Sequence, residues 1–102
     1  MKIKSIILLV VAIFSSGHLT AADIAAGKAK AAVCAGCHGP VGISFIPNYP
    51  NLSGQKSAYT AKQLRDFKSG LRKDPIMAAQ AASLSDADIV NISAFYESLG
   101  TK

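Results

Sequence analysis

The amino-acid sequence predicts a small all-α domain of about four helices. Apolar residues recur at helical spacing in two segments, and residues that favour helix ends stand before and after them. No segment shows the alternation of apolar and polar residues that is typical of strands, and there are no internal repeats or low-complexity linkers. The length of 102 residues gives room for one domain.

The first 22 residues have the three parts of a secretory signal peptide. Lys2 and Lys4 precede an apolar run from Ile6 to Phe14, and small residues follow up to Ala22. The run of about nine residues is well short of the ~20 that a membrane-spanning helix needs, which argues against a retained anchor. We expect cleavage after Ala22, export to the oxidising periplasm and no membrane span in the mature chain. His18 lies in the removed segment and has no functional role.

The mature chain opens with a segment rich in Ala and Lys, from Asp23 to Cys34, which predicts a helix. Asp23 is placed to cap its N-terminus. Gly27 lies mid-helix, where glycine costs stability. Either it allows another helix to approach closely, or it is merely tolerated.

The residues Cys34-Ala35-Gly36-Cys37-His38 form a Cys-x-x-Cys-His motif, the attachment signature of a c-type haem. Two thiols one helical turn apart can add to the two vinyl groups on one edge of the porphyrin. His38 then lies under the iron and can offer an imidazole nitrogen as proximal ligand. The motif predicts one covalent haem c, attached through Cys34 and Cys37.

Three other sites could use the same residues. A structural zinc site needs four ligands, but the chain has no further Cys, and its only other His is His18. A redox-active dithiol needs a βαβ context, which this sequence does not predict. A disulfide bond between Cys34 and Cys37 would leave His38 unexplained. Haem attachment is therefore the preferred interpretation.

The haem also bears on stability, because the mature chain of residues 23–102 is small for a self-sufficient core. A large apolar cofactor can supply the missing centre. We expect the haem-free chain to fold poorly, and a cooperative thermal transition in haem-free protein, measured by calorimetry, would contradict this.

Residues 41–54 contain Pro47 and Pro50, which argue against a helix or a central strand and predict an extended loop around the cofactor. A helix from Ser57 or Ala58 to about Ser69 follows, with Gly70 at its C-terminal end. Its predicted apolar face consists of Tyr59, Leu64, Phe67 and Leu71.

Two helices are predicted in the last third of the chain. Asp74 and Pro75 suit the N-cap and first position of a short helix that runs from Ile76 to about Ala82. Ser85 and Asp88 can form a capping box for the last helix, with Leu84 and Ile89 placed for a hydrophobic staple. Its apolar stripe consists of Ile89, Ile92, Phe95, Tyr96 and Leu99, and Gly100 closes it.

Met77 is the candidate for the second axial ligand of the iron. The mature chain has one His, already used, and one Met. A thioether favours ferrous iron and raises the reduction potential. A lone Met can also fill the core, in which case the iron would bind a Lys or keep an open position. An open position would make the protein a small-ligand sensor.

Iron with both axial positions filled suits outer-sphere transfer of single electrons, because no position remains for a substrate. The sequence also has no Ser/His/Asp set, no paired carboxylates at useful spacing and no phosphate-binding loop, so an enzyme is not predicted. The formal charge of +5 falls to +3 without Lys2 and Lys4, which favours an acidic partner surface, although solubility explains it equally well. Scattered basic residues give no sign of nucleic-acid binding.

The sequence resembles the class I cytochromes c, in particular the short bacterial periplasmic kind with one haem and one half of the diheme kind. The similarity covers essentially the whole mature chain, residues 23–102. Four parts carry it, and these are Cys34-Ala-Gly-Cys-His38-Gly, Pro50-Asn-Leu-Ser-Gly54-Gln55, Met77, and Leu84-Ser-Asp-Ala-Asp88-Ile with Phe95-Tyr96. The resemblance implies the small cytochrome c fold of about four helices, wrapped around one covalent haem.

By the same resemblance, Cys34 and Cys37 form the thioethers, and His38 and Met77 are the axial ligands. Pro50, with Pro47 as its rival, offers the carbonyl that orients the proximal imidazole. Gly27 and Tyr96 match the positions where the first and last helices cross. Contacts to the haem propionates are open to Gln55, Tyr59 and Arg72.

The function that the resemblance implies is that of an electron carrier between redox protein partners in the periplasm or the membrane. A terminal oxidase, a cytochrome complex or a dehydrogenase would suit the role of partner. The alternative is a haem c subunit of an enzyme complex such as a flavocytochrome sulfide dehydrogenase.

Overall fold

The computed structural model describes residues 7–10 and 21–100. Most of the predicted signal peptide, residues 1–22, therefore lies outside the described residues, and its cleavage stays a prediction. Within the described part, no helix combines the length and apolar character needed to cross a membrane.

Helices form the regular structure of the described residues, which contain no strand. Helix α1 (Ile24–Lys30), a 3-10 helix (Ala31–Cys34) and helix α2 (Ala35–His38) follow one another without a break. They are followed by α3 (Ser57–Ser69), α4 (Pro75–Ala81) and α5 (Asp86–Ser98). Since the first three segments make one continuous helical stretch, the predicted all-α fold of about four helices is confirmed.

The predicted caps account for where three helices begin. Asp23 accepts a hydrogen bond from the backbone amide of Ala26 at 2.9 Å. Asp74 caps α4 in the same way, and Pro75 occupies the first position of that helix. Ser85 and Asp88 form the full capping box of α5, with both hydrogen bonds at 3.0 Å. Each cap satisfies amide groups that a helix start otherwise leaves without a partner.

Helix α5 is the centre of the fold, because it packs against both α1 and α3, while α4 packs on α3. Its predicted apolar stripe is confirmed, with Leu99 the least buried member. The buried hydrophobic residues are Ala31, Ala61, Phe67, Ala81, Leu84, Ile89, Ile92, Phe95 and Tyr96.

The predicted apolar face of α3 is only half right. Phe67 is buried and Leu64 partly buried, but Tyr59 is 51% exposed and Leu71 83% exposed. The buried face instead includes Thr60 and Ala61. Leu71 lies beyond Gly70, whose left-handed backbone (φ 85°) ends the helix, so Leu71 does not continue the helical face.

Gly27 has a clear packing reason. A Cβ atom added to Gly27 would lie 2.0 Å from the backbone oxygen of Asn91 in α5. The Asn91 side chain also accepts a hydrogen bond from the backbone amide of Asp23 at 2.9 Å. The close approach of α1 to α5 thus lies at Asn91 and Ile92, whereas the position matched by resemblance, Tyr96, lies farther along α5.

Two carboxylates at the ends of helices give the stability a pH dependence. Hydrogen bonds from the backbone of Ser85 lower the pKa of Asp88. Hydrogen bonds from the side chain and backbone of Ser57 lower the pKa of Glu97. The Glu97 carboxylate accepts a hydrogen bond from the backbone amide of Ser57 at 2.7 Å. A carboxyl group with a depressed folded-state pKa contributes stability above its unfolded pKa and loses it as the pH falls through the folded value.

We therefore expect the free energy of unfolding to fall as the pH drops below about 4, the ordinary range for carboxyl groups. Urea denaturation of the holoprotein between pH 7 and pH 3 measures this. Asp88→Asn and Glu97→Gln should each make the free energy of unfolding depend less on pH. Asp86→Asn is the control, because it removes a carboxylate from the first turn of α5 and leaves the capping box of Ser85 and Asp88 intact. Parallel curves for all four proteins would contradict the assignment.

Candidate haem site

The Cys-x-x-Cys-His motif lies where the 3-10 helix passes into α2, so one helical turn carries all three side chains. The thiols of Cys34 and Cys37 are free and partly buried. His38 ends α2 and is 8% exposed, a low value for an imidazole. The structure thus brings together the three residues that the motif predicts.

The thiol of Cys34 lies in an apolar setting beside α5. Burial raises its pKa, a hydrogen bond with the Tyr96 side chain lowers it, and the nearby Cys37 raises it again. Burial likewise raises the pKa of Tyr96. The Cys34 side chain is partly buried and packs against the hydrophobic core.

The orientation of His38 is fixed by one hydrogen bond. Its Nδ1 lies 2.8 Å from the backbone oxygen of Pro50. Because a carbonyl oxygen can only accept, Nδ1 carries the proton, and Nε2 is the nitrogen left to bind a metal. Of the two prolines predicted for this contact, Pro50 makes it and Pro47 does not.

Backbone hydrogen bonds within the loop and to α5 hold the loop that carries Pro50. The carbonyl oxygen of Gly42 accepts hydrogen bonds from the backbone amides of Leu52 (2.7 Å) and Ser53 (3.0 Å). The backbone amide of Gly54 donates to the carbonyl oxygen of Tyr96 at 2.8 Å. A Cβ atom on Gly42, whose φ is +73°, would lie 2.7 Å from the Ser53 nitrogen. Glycine is therefore required where the loop closes on itself.

Sequence reasoning missed three residues that surround this hydrogen bond. Ser44 and Asn51 bond to each other across the loop at 2.8 Å. The ring of Tyr49 lies 6.2 Å from the His38 ring, centroid to centroid, tilted by 45°. Nothing in their spacing distinguishes them from ordinary loop residues, since their partners depend on the path of the loop.

Met77 is the third residue of α4, partly buried and packed against the hydrophobic core. Its backbone amide donates to the Asp74 carboxylate at 2.9 Å. The helix cap therefore holds the backbone of the residue that the sequence predicts as second iron ligand.

Replacing Asp74 by alanine should cost about 1 kcal/mol of stability, because an N-cap of α4 is lost. The substitution should also remove the acceptor of the Met77 backbone amide, so that the amide proton exchanges faster with solvent. Asp74→Ser keeps a capping oxygen and is the matched control. Equal amide exchange in Asp74→Ala and in the unchanged protein would show that the cap does not hold Met77.

Two of the three side chains considered for the haem propionates, those of Arg72 and Gln55, have protein partners, whereas Tyr59 is 51% exposed. The guanidinium of Arg72 lies 4.6 Å from the centre of the Phe67 ring and donates to Gln63 at 2.9 Å. The side-chain oxygen of Gln55 accepts the amide of Lys56 at 3.0 Å. Contacts from these residues to propionates stay a prediction.

The residues present fit a covalent haem. Two free thiols and a buried imidazole with a defined tautomer share one helical turn, and residues 31–55 around them contain no Lys, Arg, Asp or Glu. A metal held by side chains alone fits less well, because the described residues contain no cluster of three or more His, Cys, Asp or Glu. An apolar group attached through sulfur is what this setting favours.

A profile of the family described as cytochrome c matches residues 24–100. The chain belongs to the cytochrome c family. Family membership, together with the pair Cys34 and Cys37, gives the domain one covalently bound haem c. The fold and the resemblance predicted from the sequence are thereby confirmed.

Two curated relatives show the range of proteins in which this domain occurs. Cytochrome c4 of Pseudomonas aeruginosa is 47% identical over 78 residues, which are 76% of this chain and 39% of that protein. Cytochrome c-554(548) of Halomonas halodenitrificans is 41% identical over 81 residues, which are 76% of this chain and 98% of that protein. The chain thus spans less than half of the first relative and nearly all of the second.

Two solved structures share the fold. Reduced recombinant cytochrome c4 from Pseudomonas stutzeri matches with a TM-score of 0.73 and 41% identity, covering 78% of this chain and 46% of that one. Thiosulfate dehydrogenase (TsdBA) from Marichromatium purpuratum matches with a TM-score of 0.69 and 32% identity, covering 76% of this chain and 19% of that one. The same domain therefore occurs within an oxidoreductase.

Proposed function

We propose that the protein carries single electrons on its haem c between redox protein partners in the periplasm, and is not itself an enzyme. The observation that carries the proposal is the buried His38, which directly follows the two cysteines and donates from Nδ1 to Pro50 at 2.8 Å. This hydrogen bond fixes the ring and makes the opposite nitrogen a stronger ligand. A haem c supplies a centre that gains or loses one electron.

The chain's own residues hold the group. In this proposal Cys34 and Cys37 would hold the haem through thioether bonds, His38 would bind the iron through Nε2, and Met77 would supply a second protein ligand from α4. Two protein ligands leave no position for a substrate, so the protein transfers electrons without making or breaking bonds in another molecule. Ligands fixed by the fold would keep the geometry of the iron similar in both redox states.

Export belongs to the proposal as well. The basic start, short apolar run and small residues before Asp23 support a signal peptide with cleavage after Ala22. N-terminal sequencing of the protein purified from its own cells tests this. A first residue of Asp23 is expected, and a retained N-terminus would place the protein on a membrane instead.

Redox titration of the holoprotein tests the electron-carrier function directly. We expect a single transition that fits one electron for each chain, with superimposable spectra on reduction and reoxidation. Two transitions, or turnover of an added small substrate, would overturn the proposal.

The second candidate is a haem subunit of a dehydrogenase complex. It is supported by the match to the thiosulfate dehydrogenase structure and by a relative from Stutzerimonas stutzeri, 40% identical over 70 residues, named as a thiosulfate dehydrogenase electron acceptor. Size-exclusion chromatography of the protein from its own cells, with full spectra, separates the two. A lone haem peak at monomer size supports the free carrier. Haem in a larger peak, together with flavin or a second haem protein, supports the subunit.

A further inference from the structure

The hydrogen bond from His38 to Pro50 depends on a loop without regular structure. Residues 39–56 contain neither helix nor strand, so the Pro50 carbonyl is not held by a helical or sheet ladder. A loop carbonyl keeps one position only if neighbouring groups fix it. The contacts on either side of Pro50 show which groups do so.

Ser44 connects the haem-attachment helix to the residue after Pro50. Its hydroxyl lies 3.1 Å from the carbonyl oxygen of Cys37, at the end of α2, and 2.9 Å from that of Ile46. The same hydroxyl accepts the Ile46 amide at 3.0 Å. Its backbone amide donates to the side-chain oxygen of Asn51 at 2.8 Å.

Asn51 is the neighbour of Pro50, and the contact therefore acts on the peptide unit that presents the carbonyl to His38. On the other side of Pro50, the backbone amide of Tyr49 donates to the Ile46 carbonyl at 3.0 Å. Ile46 is thus joined both to Ser44 and to Tyr49, which closes the loop on both sides of Pro50.

We propose that the Ser44–Asn51 hydrogen bond is a positioning contact for His38, which fixes the Pro50 carbonyl and so sets the reduction potential of the haem iron. The inference rests on the proposed function, since it requires His38 to be an iron ligand. A firm bond at Nδ1 makes the imidazole more electron-rich and stabilises ferric iron. Loosening the Pro50 carbonyl weakens that effect, so the potential rises.

The test uses Asn51→Ala in the holoprotein, because the donor of this hydrogen bond is the backbone amide of Ser44, which a side-chain substitution at Ser44 would leave in place. Asn51→Ala removes the side-chain acceptor and keeps the contacts of the Ser44 hydroxyl to the carbonyl oxygens of Cys37 and Ile46. The readouts are the midpoint potential and the exchange rate of the His38 Nδ1 proton with solvent, followed by NMR of the reduced protein. We expect a higher potential and exchange about fivefold faster in Asn51→Ala, as the loss of one supporting hydrogen bond allows.

Two variants separate positioning from stability. Asn51→Asp keeps an oxygen acceptor and should restore the exchange rate. Ser53→Ala removes a comparable bond in the same loop, from the Ser53 hydroxyl to the Gly100 carbonyl at 2.7 Å, and should change neither readout. An unchanged potential and exchange rate in Asn51→Ala, or an equal change in Ser53→Ala, would overturn the proposal. If instead His38 is no ligand, the unsubstituted protein already lacks the NMR signature of an iron-bound imidazole.

Discussion

Gly27→Ala is expected to lower the free energy of unfolding by about 3 kcal/mol, at the upper end of the costs for overpacked sites. The added Cβ atom would lie 2.0 Å from the backbone oxygen of Asn91 and 2.4 Å from its backbone carbon. Backbone atoms inside a helix cannot rotate away as a flexible side chain can. Helices α1 and α5 must therefore move apart, and their separation exposes the buried stripe of α5.

Ala25→Leu is the control, because Ala25 is an exposed residue of the same helix α1 and lies outside the haem-attachment motif. Leucine is nearly as good a helix former as alanine, so this variant should have nearly the stability of the unsubstituted protein. Denaturant unfolding of both holoproteins at pH 7 gives the comparison. A Gly27→Ala variant within about 0.5 kcal/mol of the unsubstituted protein, the range of ordinary surface changes, would show that the helices accommodate the methyl group.

The helix starts could be predicted from the sequence because caps are local. Asp23, Asp74 and Ser85 each bond to an amide three residues ahead, and this depends on no other part of the chain. The buried face of α3 was harder to predict. Helical spacing groups Tyr59 with Phe67, but the face that is buried depends on where α4 and α5 pack, and this selects Thr60 and Ala61.

The haem site also contains residues that the sequence pattern predicts and residues whose roles depend on the three-dimensional fold. Cys34, Cys37 and His38 are adjacent in sequence, so their spacing alone predicts the chemistry. Pro47 and Pro50 lie in one loop, and only its three-dimensional path puts the Pro50 carbonyl at His38. Contacts across such a loop have no periodicity that a sequence pattern could reveal.

Met77→Ala is expected to lower the midpoint potential by on the order of 0.1 V or more, within the roughly 0.8 V range that axial ligands span. A thioether favours ferrous iron, and its loss removes this preference. The ferric spectrum should lose the iron–thioether charge-transfer band, and the reduced protein should then bind carbon monoxide. Met77 is the one methionine of residues 23–102, so no other thioether can replace it.

Because Met77 also packs against the core, loss of packing must be separated from loss of a ligand. Met77→Leu keeps most of the volume and removes the sulfur, so it should reproduce the spectral change with a smaller loss of stability. Gln80→Ala changes an exposed residue of the same helix and should leave the spectrum and the stability unchanged. If Met77→Leu retained the charge-transfer band and the potential, Met77 would be a core residue. An iron already open to carbon monoxide in the unsubstituted protein would then indicate a ligand sensor instead of an electron carrier.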